Sequence, residues 1–195
     1  MSTRDKLLLA AQEALVEDGI THVSARTVAT RAGVNQALVF YHFGSVTELV
    51  ETALRRSADL SVATYRNRFD NVTSFTELLT LGRELHTTER DRGNVAQMAQ
   101  VMAGAQSSEA LARAGRYAMQ QWSGELEGVL ARLLVGSPLE GVVSPAGLAR
   151  AVAASTIGLE LYAGVDAAGA DSALGSLRAL ASLVPATGGC GPESG

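Results

Sequence analysis

The sequence predicts an all-α protein. Apolar residues, 47% of the 195, recur at three- and four-residue spacing instead of alternating. Only four prolines interrupt them. Most breaks between apolar stretches have a capping residue ahead of the next stretch or a glycine behind the last. The organisation expected is a three-helix N-terminal unit over residues 1–48. A long fourth helix joins it to a helical region over 49–185, and a disordered tail follows at 186–195.

A first helix runs from Arg4 to Asp18, with Leu7, Ala11, Ala14 and Leu15 at helical spacing and Gly19 as its stop. Ser24 caps a second helix through Val28, Ala29 and Ala32, with Val23 and Val28 placed as a hydrophobic staple. Gly33 supplies the left-handed residue that a tight turn needs, and the small Ala29 lets two helices cross closely. Asn35 caps the third helix, and Val34 and Val39 repeat the staple. Ser45 and Glu48 form a capping box for the fourth, which continues past Leu49, Ala53 and Leu60 to about Phe69.

Thr73-Ser74 starts a fifth helix with Phe75, Leu78 and Leu79, and the polar stretch His86 to Asn94 ends it. A sixth runs from Val95 to about Ala105. A seventh runs from Ser108 to about Leu134, carrying Leu111, Tyr117, Trp122, Leu126 and Leu130. Gly136, Pro138 and Gly141 mark a loop. Ser144-Pro145, a cap followed by proline at the first helical position, opens an eighth helix reaching about Ala163. After Gly164, Asp171 caps a last helix with Leu174, Leu177, Leu180, Ala181 and Val184. Pro185 and the glycine-rich tail to Gly195 complete the chain, and there is no internal repeat.

Net charge is −4, against the bias of a general nucleic-acid binder. In the N-terminal unit, Arg4, Lys6, Arg26 and Arg31 are offset by Asp5, Glu13, Glu17 and Asp18. The lone Cys190 supports neither a disulfide framework nor a zinc site. No apolar run is long enough to span a membrane, so a cytoplasmic protein without membrane partners is expected. His22, His42 and His86 lack neighbouring catalytic patterns, so neither an enzyme nor a cofactor is expected.

Two short helices around a glycine turn form a helix-turn-helix, which points to double-stranded DNA. With Val39 and Phe43 inward, about 100° per residue places Ala37 and Tyr41 outward, flanked by Leu38 and Phe40. Such a face suits thymine methyls and sugar edges in a major groove. Gln36, at the helix start, can make a bidentate contact to adenine. Arg26, Thr27, Asn35 and the Ser45 helix start complete the candidate DNA-binding set. The alternative is packing: Phe43 reads first as core, Phe40 less so, and His42 can instead bond a backbone carbonyl.

The segments TRDKLLLAAQEALVEDG and VATRAGVNQALVFYHFGSVTEL resemble the N-terminal domain of TetR-type transcriptional regulators. The resemblance implies phosphate contacts at Tyr41 and His42, and a homodimer paired through the last two helices on a pseudo-palindromic operator. It also implies middle helices surrounding a pocket for a small effector, with repression as the usual output. Two positions depart from the family's pattern. Val46 stands where a lysine is common and Phe40 where a tyrosine is common, and both changes weaken phosphate binding.

In the second region Met98, Met102, Tyr117, Met119 and Trp122 recur at helical intervals. They read either as core or as an adaptable apolar lining for a small apolar effector. Glu160 interrupts the apolar stretch TIGLELYAG, so it needs exposure or a partner: Arg150, Arg178 or a ligand. Ala153, Ala154, Ser155 and Gly158 permit close packing, whether in a core or between subunits. A helical interaction adaptor that has lost DNA binding is the competing reading.

Overall fold

Serine caps set most of the helix starts. Ser2, Ser24, Ser45, Ser74, Ser108 and Ser144 each accept a hydrogen bond from the backbone N–H three residues on. Caps of this kind contribute about 1 kcal/mol each. The computed structural model describes residues 1–182. Val184, Pro185 and the tail expected at 186–195 lie outside the described residues.

The helices are α1 (Thr3–Glu17), α2 (Ala25–Ala32), α3 (Ala37–Phe43), α4 (Val46–Asp70), α5 (Phe75–Asp91), α6 (Asn94–Gly104), α7 (Glu109–Leu134), α8 (Pro145–Ala163) and α9 (Ala167–Ser182). The all-α expectation holds. A 3₁₀ turn, Ile20–His22, separates α1 from α2 where no element was expected.

Three details differ from the sequence reading. The polar stretch from His86 is helical, and α5 continues to Asp91, because nothing in it breaks a helix until Gly93 at φ 77°. The last helix starts earlier than expected: Asp166, whose Oδ1 accepts from the Gly169 N–H at 2.9 Å, precedes Ala167, and Asp171 lies inside α9. Only half of the expected capping box opens α4. Ser45 Oγ accepts from the Glu48 N–H at 3.1 Å, while the Glu48 carboxylate lies against the turn at Gly44.

The N-terminal core is built from Leu7, Leu8, Ala11 and Leu15 of α1, Val28 and Ala29 of α2, and Val39 and Phe43 of α3. Leu49, Val50, Ala53 and Leu54 of α4 close it, together with Val101 of α6 and Ala114 of α7. Burying each leucine of this set stabilises the fold by about 1.5–3 kcal/mol. α4 then runs on past Ala58 and Val62 to Tyr65 and Phe69, which join a second apolar cluster with Val72, Leu81, Val129 and Leu133. α4 and α7 pack along each other. Gly115 lets α6 cross α7 closely, since a Cβ there would lie 3.2 Å from Met102 Cε.

α8 is different. Ala149 is its one buried residue. Val152, Leu161 and Tyr162 are exposed, and α9 exposes Leu177.

Candidate nucleic-acid interface

The turn that aims α3 is built from backbone requirements. Ser24 Oγ accepts from the Thr27 N–H at 3.1 Å, and Thr27 Oγ1 accepts in return from the Ser24 N–H at 2.9 Å. The Thr27 hydroxyl is thereby engaged within its own helix start. Gly33 ends α2 in the left-handed region, φ 67° and ψ 36°, and the Val34 N–H donates to the Ala29 carbonyl at 3.0 Å. A Cβ at Gly33 would meet nothing within 4 Å, so the conformation, not crowding, calls for glycine there. Asn35 Oδ1 accepts from the Ala37 N–H at 2.8 Å, but α3 begins one residue later than expected: Gln36 is its N-cap position and makes no side-chain cap bond.

On α3, Val39 is fully buried and Phe43 is 7% exposed, while Phe40 is 50% and Tyr41 80% exposed. Phe43 is core and Phe40 is not. Gln36 and Ala37 are exposed at the helix start. Leu38 is half-buried against the N-terminal core, so it sits at the margin of the outward face. His42 is half-buried, its ring edge-on to Tyr41 at 5.0 Å between centroids. Arg26 is exposed at the first turn of α2, and Ser45 is half-buried at the start of α4. Gln36, Ala37, Phe40 and Tyr41 thus share one open helical surface.

The charges around this surface divide into engaged and available cations. Arg31 donates to Glu17 and, at 2.9 Å, to Asp18; the Glu17 hydrogen bond chiefly holds its guanidinium charged. Asp5 is taken up by Ser2, whose hydroxyl lowers its pKa, and by Arg56. Arg4 lies with its Cζ 5.0 Å above the Phe43 ring. Val46 turns its side chain to the N-terminal core, so its replacement of a surface lysine has a packing reason.

The residues expected to hold an effector are not brought together. Met98 packs on the N-terminal core and Met102 against Gly115. Tyr117 donates to Asp59 at 2.7 Å, which raises its pKa, and Arg55 lies 4.2 Å over its ring. Trp122 stacks at a tilt on Tyr65, 6.0 Å between centroids, in the second cluster. Glu160 faces His86 of α5, Nε2 to Oε2 3.9 Å, rather than the exposed Arg150; the Arg178 side chain lies outside the described set. A cleft of about 300 Å³ between α4 and α5 is lined by Arg68, Asn71, Val72, Thr76, Leu81 and Glu84, none of them among the five.

One polar centre was missed from sequence. Glu89 is only 3% exposed and accepts four hydrogen bonds. They come from Tyr65 (2.8 Å) and Ser61 (3.0 Å) of α4, Arg92 (3.0 Å), and Asn94 (2.7 Å) of α6. Burial, then the bond to Glu89, raises the Tyr65 pKa. The signal was present: Glu89 lies four residues beyond Leu85 and eight beyond Leu81, on the apolar stripe of α5, but inside the stretch read as a break.

The geometry of α1 to α4 has counterparts among known proteins. The family model described as bacterial regulatory proteins, tetR family, matches residues 7–53, the segment from α1 to the start of α4. The similarity to that family is carried by these residues. The helix-turn-helix transcriptional repressor KstR2 of Mycolicibacterium smegmatis is 33% identical over 79 residues, a match spanning 40% of this chain and 38% of that protein. The fold extends further. A TetR-family transcriptional regulator from a Rhodococcus species superposes with TM-score 0.74 at 23% identity, over 93% of this chain and 97% of its own. A transcriptional regulator from Saccharomonospora viridis in complex with choline superposes with TM-score 0.74 at 19% identity, over the same shares. Among the described residues no helix is long and apolar enough to cross a membrane.

Proposed function

We propose that this chain is a cytoplasmic, ligand-responsive DNA-binding regulator. It docks as a homodimer on a pseudo-palindromic operator and is released by a small molecule. The observation that carries the reading is the outward face of α3. Phe40 and Tyr41 stand exposed at 50% and 80% beside Gln36 and Ala37, on a helix whose other side is anchored by Val39 and Phe43. An aromatic face of that kind is costly in water and complementary to base edges and sugars. Gln36 reads a base, and Tyr41, His42, Arg26, Thr27, Asn35 and the α4 start position the helix on the backbone.

Residues 1–48 dock on DNA and the helices beyond carry effector binding and dimerisation. Ala151, Ala154, Ser155, Gly158, Leu161 and Tyr162 are exposed along α8, and Val165 just beyond its end. Their three- and four-residue spacing makes a stripe of small and apolar side chains suited to a two-fold partner. The effector enters among α4–α8, and Met98, Met102, Tyr117, Trp122 and Glu160, which this structure keeps in separate packing sites, line its site only as those helices part. It changes the separation of the two reading helices, which must be near one DNA turn, about 34 Å, for binding. A ligand acts this way only if it binds the two spacings unequally. Repression is the proposed sign, following the repressor KstR2.

A mobility shift with a randomised duplex pool tests the reading. The purified protein should retard and enrich a subset of sequences with two-fold symmetry. Retardation of no duplex, even at low salt, overturns it and leaves the helical adaptor.

A further inference from the structure

We propose that Arg4, at the start of α1, is a DNA-phosphate-binding residue that supplies the positive charge missing at Val46. The assignment rests on the DNA-binding reading above. It begins with a row of side chains. Tyr41 and His42 have ring centroids 5.0 Å apart, His42 and Phe43 are 6.4 Å apart edge to face, and the Arg4 guanidinium lies 5.0 Å above Phe43. Arg4 therefore continues, from a different helix, the line of backbone-facing groups at the C-terminal end of α3. Arg4 and His42 also line one polar cavity of about 410 Å³, with Thr52 and Arg113.

Charge bookkeeping in the N-terminal unit singles out the same residue. Arg31 is held by Glu17 and Asp18, and the neighbouring Asp5 is taken by Ser2 and Arg56. Arg4 is exposed and makes no ion pair among the described residues. The same cavity is lined by two carboxylates. Glu51 is bound by Arg113 at 2.7 Å and faces Arg55 at 3.6 Å, and Glu48 lies back against Gly44. At the α4 start, Val46 packs on the core and offers no charge. Stacking on Phe43 holds the planar guanidinium in place while leaving its N–H donors open, the arrangement in which arginine serves phosphate oxygens. The outcome is a phosphate contact from α1 beside the reading helix, to which the exposed Arg26 of α2 adds a second cation.

The experiment uses the full chain and a duplex enriched from the randomised pool, with binding followed by fluorescence anisotropy across a salt series. Arg4→Gln should weaken binding several-fold, to the enriched duplex and to an unrelated one alike. It should also lower the slope of log K against log salt by about 1. Arg4→Lys should restore most of that slope. Lys6→Gln serves as the control, since Lys6 is exposed about 200° around α1 from Arg4 and should leave the slope unchanged. A lower melting temperature for Arg4→Gln with an unchanged slope overturns the assignment in favour of a packing role. Equal losses from Arg4→Gln and Lys6→Gln overturn it in favour of net charge. If the wild-type protein binds no duplex at all, the regulator reading itself fails.

Discussion

Glu89 and Gln36 show how differently two polar side chains act in this chain. Glu89 is enclosed, and its carboxylate satisfies Tyr65, Ser61, Asn94 and Arg92 at once. Removing it strands the Tyr65 hydroxyl, which belongs to a side chain only 5% exposed, whereas Arg92, 54% exposed, returns its charge to water. The cost is therefore that of an unsatisfied neutral donor and not of a buried ion. Glu89→Ala should destabilise the fold by about 1–3 kcal/mol, read from urea unfolding midpoints. Gln36 is exposed and holds nothing up. Gln36→Ala should leave stability within about 0.5 kcal/mol. It should relax preference at one base position by about 1–3 kcal/mol, read by sequencing the duplexes that the variant enriches. Unchanged sequence selection would remove Gln36 from the reading surface.

At the scale of the elements, α2, its turn and α3 depend on a single backbone conformation. Gly33 sits at φ 67° in open space, so Gly33→Ala introduces no clash and tests the left-handed turn alone. It should cost about 1–2 kcal/mol of stability, checked by chemical unfolding. A cost near zero would mean that the turn relaxes, and α3 would then lose its aim. The same locality explains what was legible beforehand. Ser24, Gly33, Asn35 and Ser45 act on neighbours within four residues, so their roles, and the outward direction of Phe40 and Tyr41, follow from the sequence. The stretch from His86 to Asp91 misled because a polar helix face looks like a loop when its buried member, Glu89, is itself charged. Asp171 misled because Asp166 performs the same cap a turn earlier, and both precede alanine-rich helix. The effector residues were beyond reach for another reason. Whether Met98, Tyr117 and Trp122 converge depends on how α4, α6 and α7 cross, which no local signal encodes.

At the scale of the molecule, the unpartnered face of α8 is the feature that asks for a second copy. Leu161 is 50% and Tyr162 45% exposed beside small residues, and a Cβ built at Gly158 meets nothing within 4 Å. Leu161→Asp places a charge on the most apolar part of this stripe. Sedimentation equilibrium should report a monomer for the variant and a dimer for the parent. On the proposed two-fold operator a dimer reads two half-sites together, so DNA affinity should fall with it at concentrations where the parent is dimeric. A variant that remains dimeric moves the interface elsewhere.

The floor under the reading helix has a consequence for anyone who would transplant it. Val101 and Ala114, from α6 and α7, lie in the same apolar cluster as Leu7, Val28 and Val39. Leu49, Val50, Ala53 and Leu54 of α4 belong to it too. A chimaera joined at residue 48 would keep Leu7, Val28 and Val39 together but part them from the α4, α6 and α7 members of the cluster and expose those contacts to water. The exchangeable cassette is thus not the helix-turn-helix as a sequence motif. It is residues 1–54 together with whatever small and branched side chains the recipient offers where Val101 and Ala114 stand here.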